Sequence, residues 1–140
     1  MRKTGIPFDM TRVITFGTFD LFHIGHLNIL TRARAYGDYL LVGVSSDALN
    51  VSKKGFQPFF SQTERMAIVA ALRAVDEVFV EESLELKRDY MIRYRADILV
   101  MGDDWAGRFD HLADVCQVIY LPRTADISTT ALKERLRHPV

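Results

Sequence analysis

The chain has 140 residues, 49% hydrophobic and 26% charged, which is typical of one globular domain of common size. Its 18 basic and 18 acidic residues cancel, which argues against a nucleic-acid partner held by bulk charge. The single cysteine, Cys116, excludes an internal disulfide and is predicted to be a buried structural thiol. No apolar run approaches membrane-spanning length and no signal peptide is evident, so we expect a cytoplasmic protein without membrane insertion.

The first third of the chain predicts two strands around a helix. Residues 1–11 show no period and predict a loose leader before a single domain at 12–140. We expect a first strand at 12–17 and a first helix at 26–36, where apolar residues recur at helical spacing. An unbroken apolar run at 39–45 predicts a second strand that is covered on both faces.

Predicted helices and strands continue to alternate along the remainder of the chain. Residues 47–60 lack a period and predict a long loop, a feature that is often functional. Ser61 and Glu64 form the spacing of a capping box at the start of a helix. The later predicted elements are a strand at 77–80, a helix at 83–94, a strand at 98–101, a short helix at 109–113, a strand at 115–121 and a last helix capped by Ser128.

This alternation predicts an α/β fold, a Rossmann-like doubly wound parallel sheet of about five strands with helices on both faces. Ligands in such sheets bind beyond the carboxyl ends of the strands, at the switch point. Four chemically unusual segments follow predicted strands: 18–26, 47–60, 102–105 and 123–130. We therefore expect all four to meet at one site.

Residues 15–26, T-F-G-T-F-D-L-F-H-I-G-H, join the first strand to the first helix. A helix N-terminus favours an anion, and His23 and His26 can donate hydrogen bonds to its oxygens. Gly25 leaves room for a ligand to approach the backbone. A solvated surface pair or a partial metal site is the alternative, although no third ligand completes a zinc set at familiar spacing. Asp20 is predicted to form the turn, because phosphate would repel its carboxylate.

A second candidate phosphate site precedes the last helix. Arg123 and Thr124 stand upstream of Ser128, Thr129 and Thr130. Serine and threonine at a helix start usually act only as a cap, but the upstream guanidinium favours a polyphosphate ligand.

These segments resemble those of a known family. G-T-F-D-x-x-H-x-G-H at 17–26 is the signature of the cytidylyltransferase-like nucleotidyltransferases, and R-T-x-x-I-S-T at 123–129 is similar to their second signature. Ala125 and Asp126 replace the Glu-Gly of many members, and Asp126 is predicted to face away from phosphate. M-G-D-D-W at 101–105 and R-A-V-D-E-V at 73–78 resemble segments of the glycerol-phosphate members.

The resemblance implies an enzyme that transfers CMP from CTP to sn-glycerol 3-phosphate, giving CDP-glycerol and pyrophosphate. It implies catalytic roles for His23, His26, Lys53 and Arg123, and acceptor binding by Lys53 and Lys87. The residues implied to contact the nucleotide are Thr18, Phe19, His23, Gly25, His26, Arg73, Asp104, Arg123, Thr124, Ile127, Ser128, Thr129 and Thr130. Lys54 is either a further contact or a solvated charge.

Mg²⁺ is expected as cofactor with the triphosphate, held mainly by phosphate oxygens and water rather than by a protein cage, and the resemblance also implies a homodimer. Two alternatives stay open. One is a related nucleotidyltransferase acting on phosphocholine, phosphoethanolamine, heptose phosphate or FMN, with Trp105 and Tyr90 as candidates for a choline-binding aromatic cage. The other is a non-catalytic nucleotide-binding regulator.

Overall fold

The structure is a computed structural model that describes residues 10–125 and 127–138. Residues 1–9 of the predicted leader, and Asp126 with its predicted orientation, lie outside the described residues. The strands are β1 Arg12–Gly17, β2 Tyr39–Ser45, β3 Glu77–Glu81, β4 Ile98–Gly102 and β5 Gln117–Leu121. The α-helices are α1 Ile24–Arg34, α2 Asp47–Lys54, α3 Gln62–Ala70, α4 Lys87–Arg93 and α5 Thr129–Arg137.

The five strands form one parallel sheet in the order β3-β2-β1-β4-β5. The chain fills one side of β1 with β2 and β3, and then returns to place β4 and β5 on the other side. This reversal leaves a crevice beyond the carboxyl end of β1, where such sheets bind ligands. The predicted doubly wound parallel sheet is confirmed.

Side chains of the central strand alternate between two hydrophobic cores. Val13 lies in the core shared with Leu30 and Ala33 of α1, whereas Ile14 lies in the core shared with Met91 of α4. All five side chains are buried, which follows from the two-residue period of a strand covered by helices on both faces. Cys116 is buried beside Met91, as predicted, and burial raises the pKa of its thiol.

The predicted loop at 47–60 is wrong over its first half, which forms α2. Ser46 caps this helix by accepting a hydrogen bond from the Leu49 amide at 2.9 Å. The helix ends at Gly55, whose φ of 84° is left-handed. Only Leu49 and Asn50 of α2 are buried, so one of its two buried positions is polar and the buried face does not follow the apolar residues of the sequence.

Several predicted boundaries shift by a turn or less. Helix α1 begins at Ile24, two residues early, because His23 caps it. The helix predicted at 83–94 divides into a 3₁₀ turn, Leu84–Leu86, and α4, and the helix predicted at 109–113 is a 3₁₀ turn, Asp110–Leu112. Strand β5 begins two residues later than predicted, at Gln117.

The predicted caps are confirmed. Ser61 and Glu64 form the capping box of α3, and Ser128 accepts from the Ala131 amide at the start of α5. Among the helices of the described residues, none combines the length and apolarity needed to cross a lipid bilayer.

Candidate active site

The four predicted segments line a single cavity of about 440 Å³ beyond the carboxyl ends of β1, β2, β4 and β5. Direct hydrogen bonds join them across long stretches of sequence. Thr18 donates to the Asn50 side chain at 2.8 Å, and Thr129 donates to the Asp20 carbonyl oxygen at 2.9 Å. Asn28 of α1 donates to the Thr124 hydroxyl at 2.9 Å. The segments after β1, β2 and β5 are therefore linked directly to one another.

The two histidines at the start of α1 form a stacked, hydrogen-bonded pair. Their ring centroids are 3.8 Å apart with an interplanar angle of 25°. His23 Nδ1 accepts from the Gly25 amide at 3.0 Å, and His26 Nδ1 accepts from the His23 amide at 3.1 Å. A neutral imidazole that accepts at Nδ1 carries its proton on Nε2. The backbone therefore fixes both rings as Nε2–H donors.

Burial and neighbouring charge keep both rings neutral. Burial and the adjacent His23 lower the pKa of His26 to about 3, and the Asp20 carboxylate opposes this only in part. Burial and the positive charge of Arg123 lower the pKa of His23. His23 and Arg123 both line the cavity, so the two signature segments meet there. The pair consists of uncharged donors suited to an oxygen that gains negative charge.

Asp20 organises the turn rather than facing a ligand, as predicted. Its carboxylate accepts from the amides of Phe59 at 2.6 Å, Phe60 at 2.9 Å and Leu21 at 3.1 Å. Phe19 and Leu21, on either side, have φ of 56° and 50°, a left-handed conformation that L-residues rarely adopt. The hydrogen bonds to Asp20 oppose this backbone strain and tie the first signature to residues 59–60.

Arg65 of α3 stabilises the segments that form the site without lining the cavity itself. Its fully buried guanidinium donates to the carbonyl oxygens of Thr18 at 2.8 Å and Ser45 at 2.9 Å, and pairs with Asp47 at 2.7 Å. Arg65 thereby joins the ends of β1 and β2 to the start of α2. The sequence of α3 did not indicate this role, because sequence alone does not distinguish a buried arginine in a helix from an exposed one.

Lys53 and Lys54, in the last turn of α2, both line the cavity with ammonium groups. Burial lowers the pKa of both ammonium groups. Across residues 10–125 and 127–138, neither lysine forms an ion pair with a carboxylate. Two half-buried cations without a carboxylate partner favour a bound anion.

Lys87, at the first position of α4, lies at the floor of the same cavity. It is 4% exposed and forms a buried ion pair with Glu81, which also accepts from the Ser45 hydroxyl at 3.1 Å. The Lys87 ammonium lies 4.5 Å from the centroid of the Phe16 ring. A carboxylate, a hydroxyl and an aromatic face thus hold this cation in place.

The cavity is positively charged although the chain is neutral. Its described lining contains six basic residues, Arg32, Lys53, Lys54, Lys87, Arg123 and Lys133, against three acidic ones, Asp20, Glu81 and Asp104. The Asp104 carboxylate lies so close to Gly102 that a Cβ there would be 2.7 Å from its oxygen. The local excess of cations matches a polyanionic ligand.

The structure brings all the predicted site residues to the cavity except one. Those that line it are Thr18, Phe19, His23, Gly25, His26, Lys53, Lys87, Asp104, Arg123, Thr124, Ile127, Ser128, Thr129 and Thr130. Arg73 is exposed beyond the end of α3 and is not part of the lining, so its nucleotide contact stays a prediction without support from this geometry.

The suggested aromatic cage is incomplete. Trp105 lines the cavity, but Tyr90 is 4% exposed and packs in the core, with its ring tilted against those of Phe16 and Phe79. Tyr90 therefore has no access to a choline group in the cavity.

Sequence reasoning missed Arg32, Asn50, Glu81 and Lys133, all of which line the cavity. Arg32 donates to the Pro122 carbonyl oxygen at 3.1 Å, so it joins α1 to the segment before α5. The available signal for Lys133 was its position four residues after Thr129, which places both on one helix face.

A metal ion would find few protein ligands here. Among the described residues, no group of three or more His, Cys, Asp or Glu side chains could hold a metal. Asp20 and Glu81 already bind backbone amides and Lys87, respectively. This donor set fits a divalent cation that takes its ligands from phosphate oxygens and water.

Most of the chain is similar to proteins of a known family. Residues 14–135 match the family described as cytidylyltransferase-like. The chain is 48% identical over 127 residues to the glycerol-3-phosphate cytidylyltransferase of Bacillus subtilis strain 168, covering 91% of this chain and 98% of that one. The glycerol-3-phosphate cytidylyltransferase of Staphylococcus aureus is 45% identical over 127 residues, covering 91% and 96%.

A solved structure supports the fold. The lipopolysaccharide core biosynthesis protein from Thermoplasma volcanium superposes with a TM-score of 0.69 at 24% identity, covering 82% of this chain and 98% of that one. At that identity the similarity concerns the fold alone.

Proposed function

Because the chain belongs to the cytidylyltransferase-like family, we propose that it transfers the cytidylyl group of CTP to sn-glycerol 3-phosphate. The observation that carries the proposal is the pair of neutral, backbone-fixed histidines beside Arg123 in a cationic cavity. The chain is 48% and 45% identical to two glycerol-3-phosphate cytidylyltransferases over nearly its full length, which supports the choice of nucleotide and acceptor.

The chemistry needs no protein nucleophile. An ionised phosphate oxygen of the acceptor attacks the α-phosphorus of CTP, and the bond to the oxygen bridging the α- and β-phosphates breaks. The electron pair of that bond leaves with pyrophosphate, and CDP-glycerol is formed. Such reactions are accelerated by positioning two repelling anions in line and by stabilising the charge that develops.

Each part of the cavity has a proposed role in this step. His23 and His26 donate through Nε2 to phosphate oxygens, and Arg123 with the start of α5 holds the triphosphate. Lys53 and Lys87 bind the acceptor phosphate. Asp104, at the end of β4, accepts hydrogen bonds from the nucleoside. The placement of donors and cations around one cavity supports these roles.

Three further expectations belong to the same proposal. Mg²⁺ bound to the triphosphate would neutralise part of its charge, while the protein supplies positioning. A homodimer is implied by the family resemblance, and a solution mass near twice 16.0 kDa would support it. The cytoplasm is the proposed location.

The direct test measures pyrophosphate release from CTP with and without sn-glycerol 3-phosphate. We expect release only when both are present. Faster turnover with phosphoethanolamine, phosphocholine, heptose phosphate or FMN, or with ATP as donor, would replace the proposed substrates. Tight CTP binding without turnover on any of these acceptors would instead indicate a nucleotide-binding regulator.

His26→Ala tests the donor role. Removing one oxyanion donor lowers kcat by about 10²–10³-fold, or roughly 3–4 kcal/mol. His26 also packs edge-on against Phe19 at 5.4 Å, so the variant should melt at a lower temperature and must be assayed while folded. His111→Ala, an exposed histidine outside the cavity, is the matched control. Undiminished turnover in His26→Ala would contradict the role.

A further inference from the structure

Two cations of the cavity lie beside different carboxylates, Lys87 beside Glu81 and Lys133 beside Asp20, and these define two groups. Of the adjacent lysines of α2, Lys53 interacts electrostatically with Glu81 and Lys87, and Lys54 interacts with Lys133 and Asp20. Lys53 also interacts with Lys54, and both interact with Arg65. The proposed acceptor site contains the first group, so the second group has no assigned ligand.

Lys133 reaches this second group from the same helix face as Thr129. The two residues are one turn apart, and Thr129 is anchored to the Asp20 carbonyl oxygen at 2.9 Å. The Lys133 ammonium lies 3.9 Å from the Asp20 carboxylate and 5.1 Å from the centroid of the Phe56 ring. Its side chain is 29% exposed, so it is held at the cavity but remains accessible.

Asp20 does not use Lys133 as a hydrogen-bond partner. Three backbone amides already donate to its carboxylate, at 2.6, 2.9 and 3.1 Å, whereas the 3.9 Å separation from Lys133 exceeds hydrogen-bond range. Lys133 therefore keeps its donors available beside Lys54, which forms no ion pair across the described residues.

The in-line geometry of phosphoryl transfer decides which ligand these donors meet. The attacking and leaving oxygens lie on opposite sides of the α-phosphorus. If the acceptor phosphate binds at Lys53 and Lys87, the leaving group lies away from them, toward the second group. We propose that Lys133, together with Lys54, binds the β- and γ-phosphates of CTP and the pyrophosphate that leaves.

This inference rests on the proposed function and adds a catalytic residue to it. When the bond between the α-phosphorus and the bridging oxygen breaks, its electron pair stays on pyrophosphate. Negative charge increases there, and two ammonium groups stabilise it more in the transition state than in the bound substrate. Lys133 thus contributes to the departure of the leaving group.

The test is calorimetric titration with inorganic pyrophosphate, in the absence of CTP and acceptor. Lys133→Gln should weaken binding by about tenfold to hundredfold, the range for losing a hydrogen bond to a charged group. Lys54→Gln should weaken it similarly. Lys133→Arg, which keeps the charge, should retain most of the affinity. Arg135→Gln removes the same charge from an exposed position of α5 and should leave binding unchanged.

Three results would overturn the proposal, and the first two are pyrophosphate binding by Lys133→Gln as tight as that of the native protein, and no pyrophosphate binding by the native protein. An equal loss in Arg135→Gln would also overturn it, because the effect would then reflect general charge. If glycerol 3-phosphate proves not to be a substrate, the proposed function fails, while the pyrophosphate titration still reports on Lys133. If it is a substrate, Lys133→Gln should leave its KM unchanged.

Discussion

At the scale of single residues, Gly25 controls the position of the His23 ring. A Cβ at this position would lie 2.8 Å from His23 Cε1 and 3.0 Å from its Nδ1. The ring would have to move and would lose its hydrogen bond from the residue 25 amide. The glycine predicted to give a ligand access to the backbone therefore also leaves space for the His23 ring, whose catalytic role is a proposal.

Gly25→Ala should lower kcat by about 10²-fold, since a displacement near 1 Å can cost that much. Steady-state kinetics measures the loss, and thermal melting should show a folded protein. Ile24→Ala, which changes an exposed neighbour outside the cavity, is the control. Native turnover in Gly25→Ala would show that the ring position is not critical.

The buried histidine pair also predicts how stability depends on pH. The pKa of His26 is about 3 in the folded protein, against 6.5 for an exposed histidine. Above pH 6.5 both states are neutral, and as pH falls toward 3 only the unfolded chain takes up this proton. The free energy of unfolding should therefore decrease with falling pH, by up to about 1.4 kcal/mol per pH unit. His23, whose pKa is also lowered, adds to the decrease.

Urea unfolding between pH 7.5 and 5 measures this slope before most carboxylates titrate, a window set by ordinary values of about 4 for Asp and Glu. His26→Asn should give a shallower slope than the native protein. His111→Asn, which changes an exposed histidine outside the cavity, is the matched control. Equal slopes in native protein and His26→Asn would mean that His26 titrates normally.

At the scale of elements, the buried ion pair of Lys87 and Glu81 joins the start of α4 to the end of β3. Their side chains are 5% and 1% exposed. Removing one partner of a buried pair costs about 3–5 kcal/mol, whereas replacing both with neutral groups costs less. Glu81→Gln should therefore destabilise the protein strongly, and Lys87→Met added to it should restore part of the loss.

Urea denaturation measures both variants, with exposed Glu82→Gln as the matched control. If Glu81→Gln costs no more than Glu82→Gln, the pair contributes nothing to the fold. Both Glu81 variants should also bind glycerol 3-phosphate more weakly, because Lys87 is displaced or absent.

The elements that sequence predicted well are those with a strong period or an apolar run. Strands β1 and β2 occur at their predicted bounds because each is buried over all but one terminal residue. Helix α2 was missed because its stability depends on the Ser46 cap and on buried Asn50, which bonds the Ser46 carbonyl oxygen at 2.9 Å. Such polar contacts have no hydrophobic signature.

At the scale of the whole molecule, the sheet topology explains why the site was largely predictable. Parallel strands place the segments that follow them at one edge, so signatures far apart in sequence had to converge. The topology does not determine which side chain of a segment enters the cavity. Arg73, predicted to enter, is exposed, while Arg32 and Lys133, not predicted, line the cavity. Which of these side chains line the cavity depends on their conformations, and the strand order does not determine those conformations.

The last helix contacts the turn after β1 through polar groups, as Thr129 and Lys133 both approach Asp20. Across α5, Thr129–Arg137, all of which is described, no side chain is buried. An element with so little apolar burial has a low free energy of local opening. Its amides should exchange with deuterium faster than those of β1, and CTP should slow that exchange because the nucleotide binds only the docked helix. Bound CTP would then stabilise the docked position of α5, so the final packing of this helix would depend on the substrate.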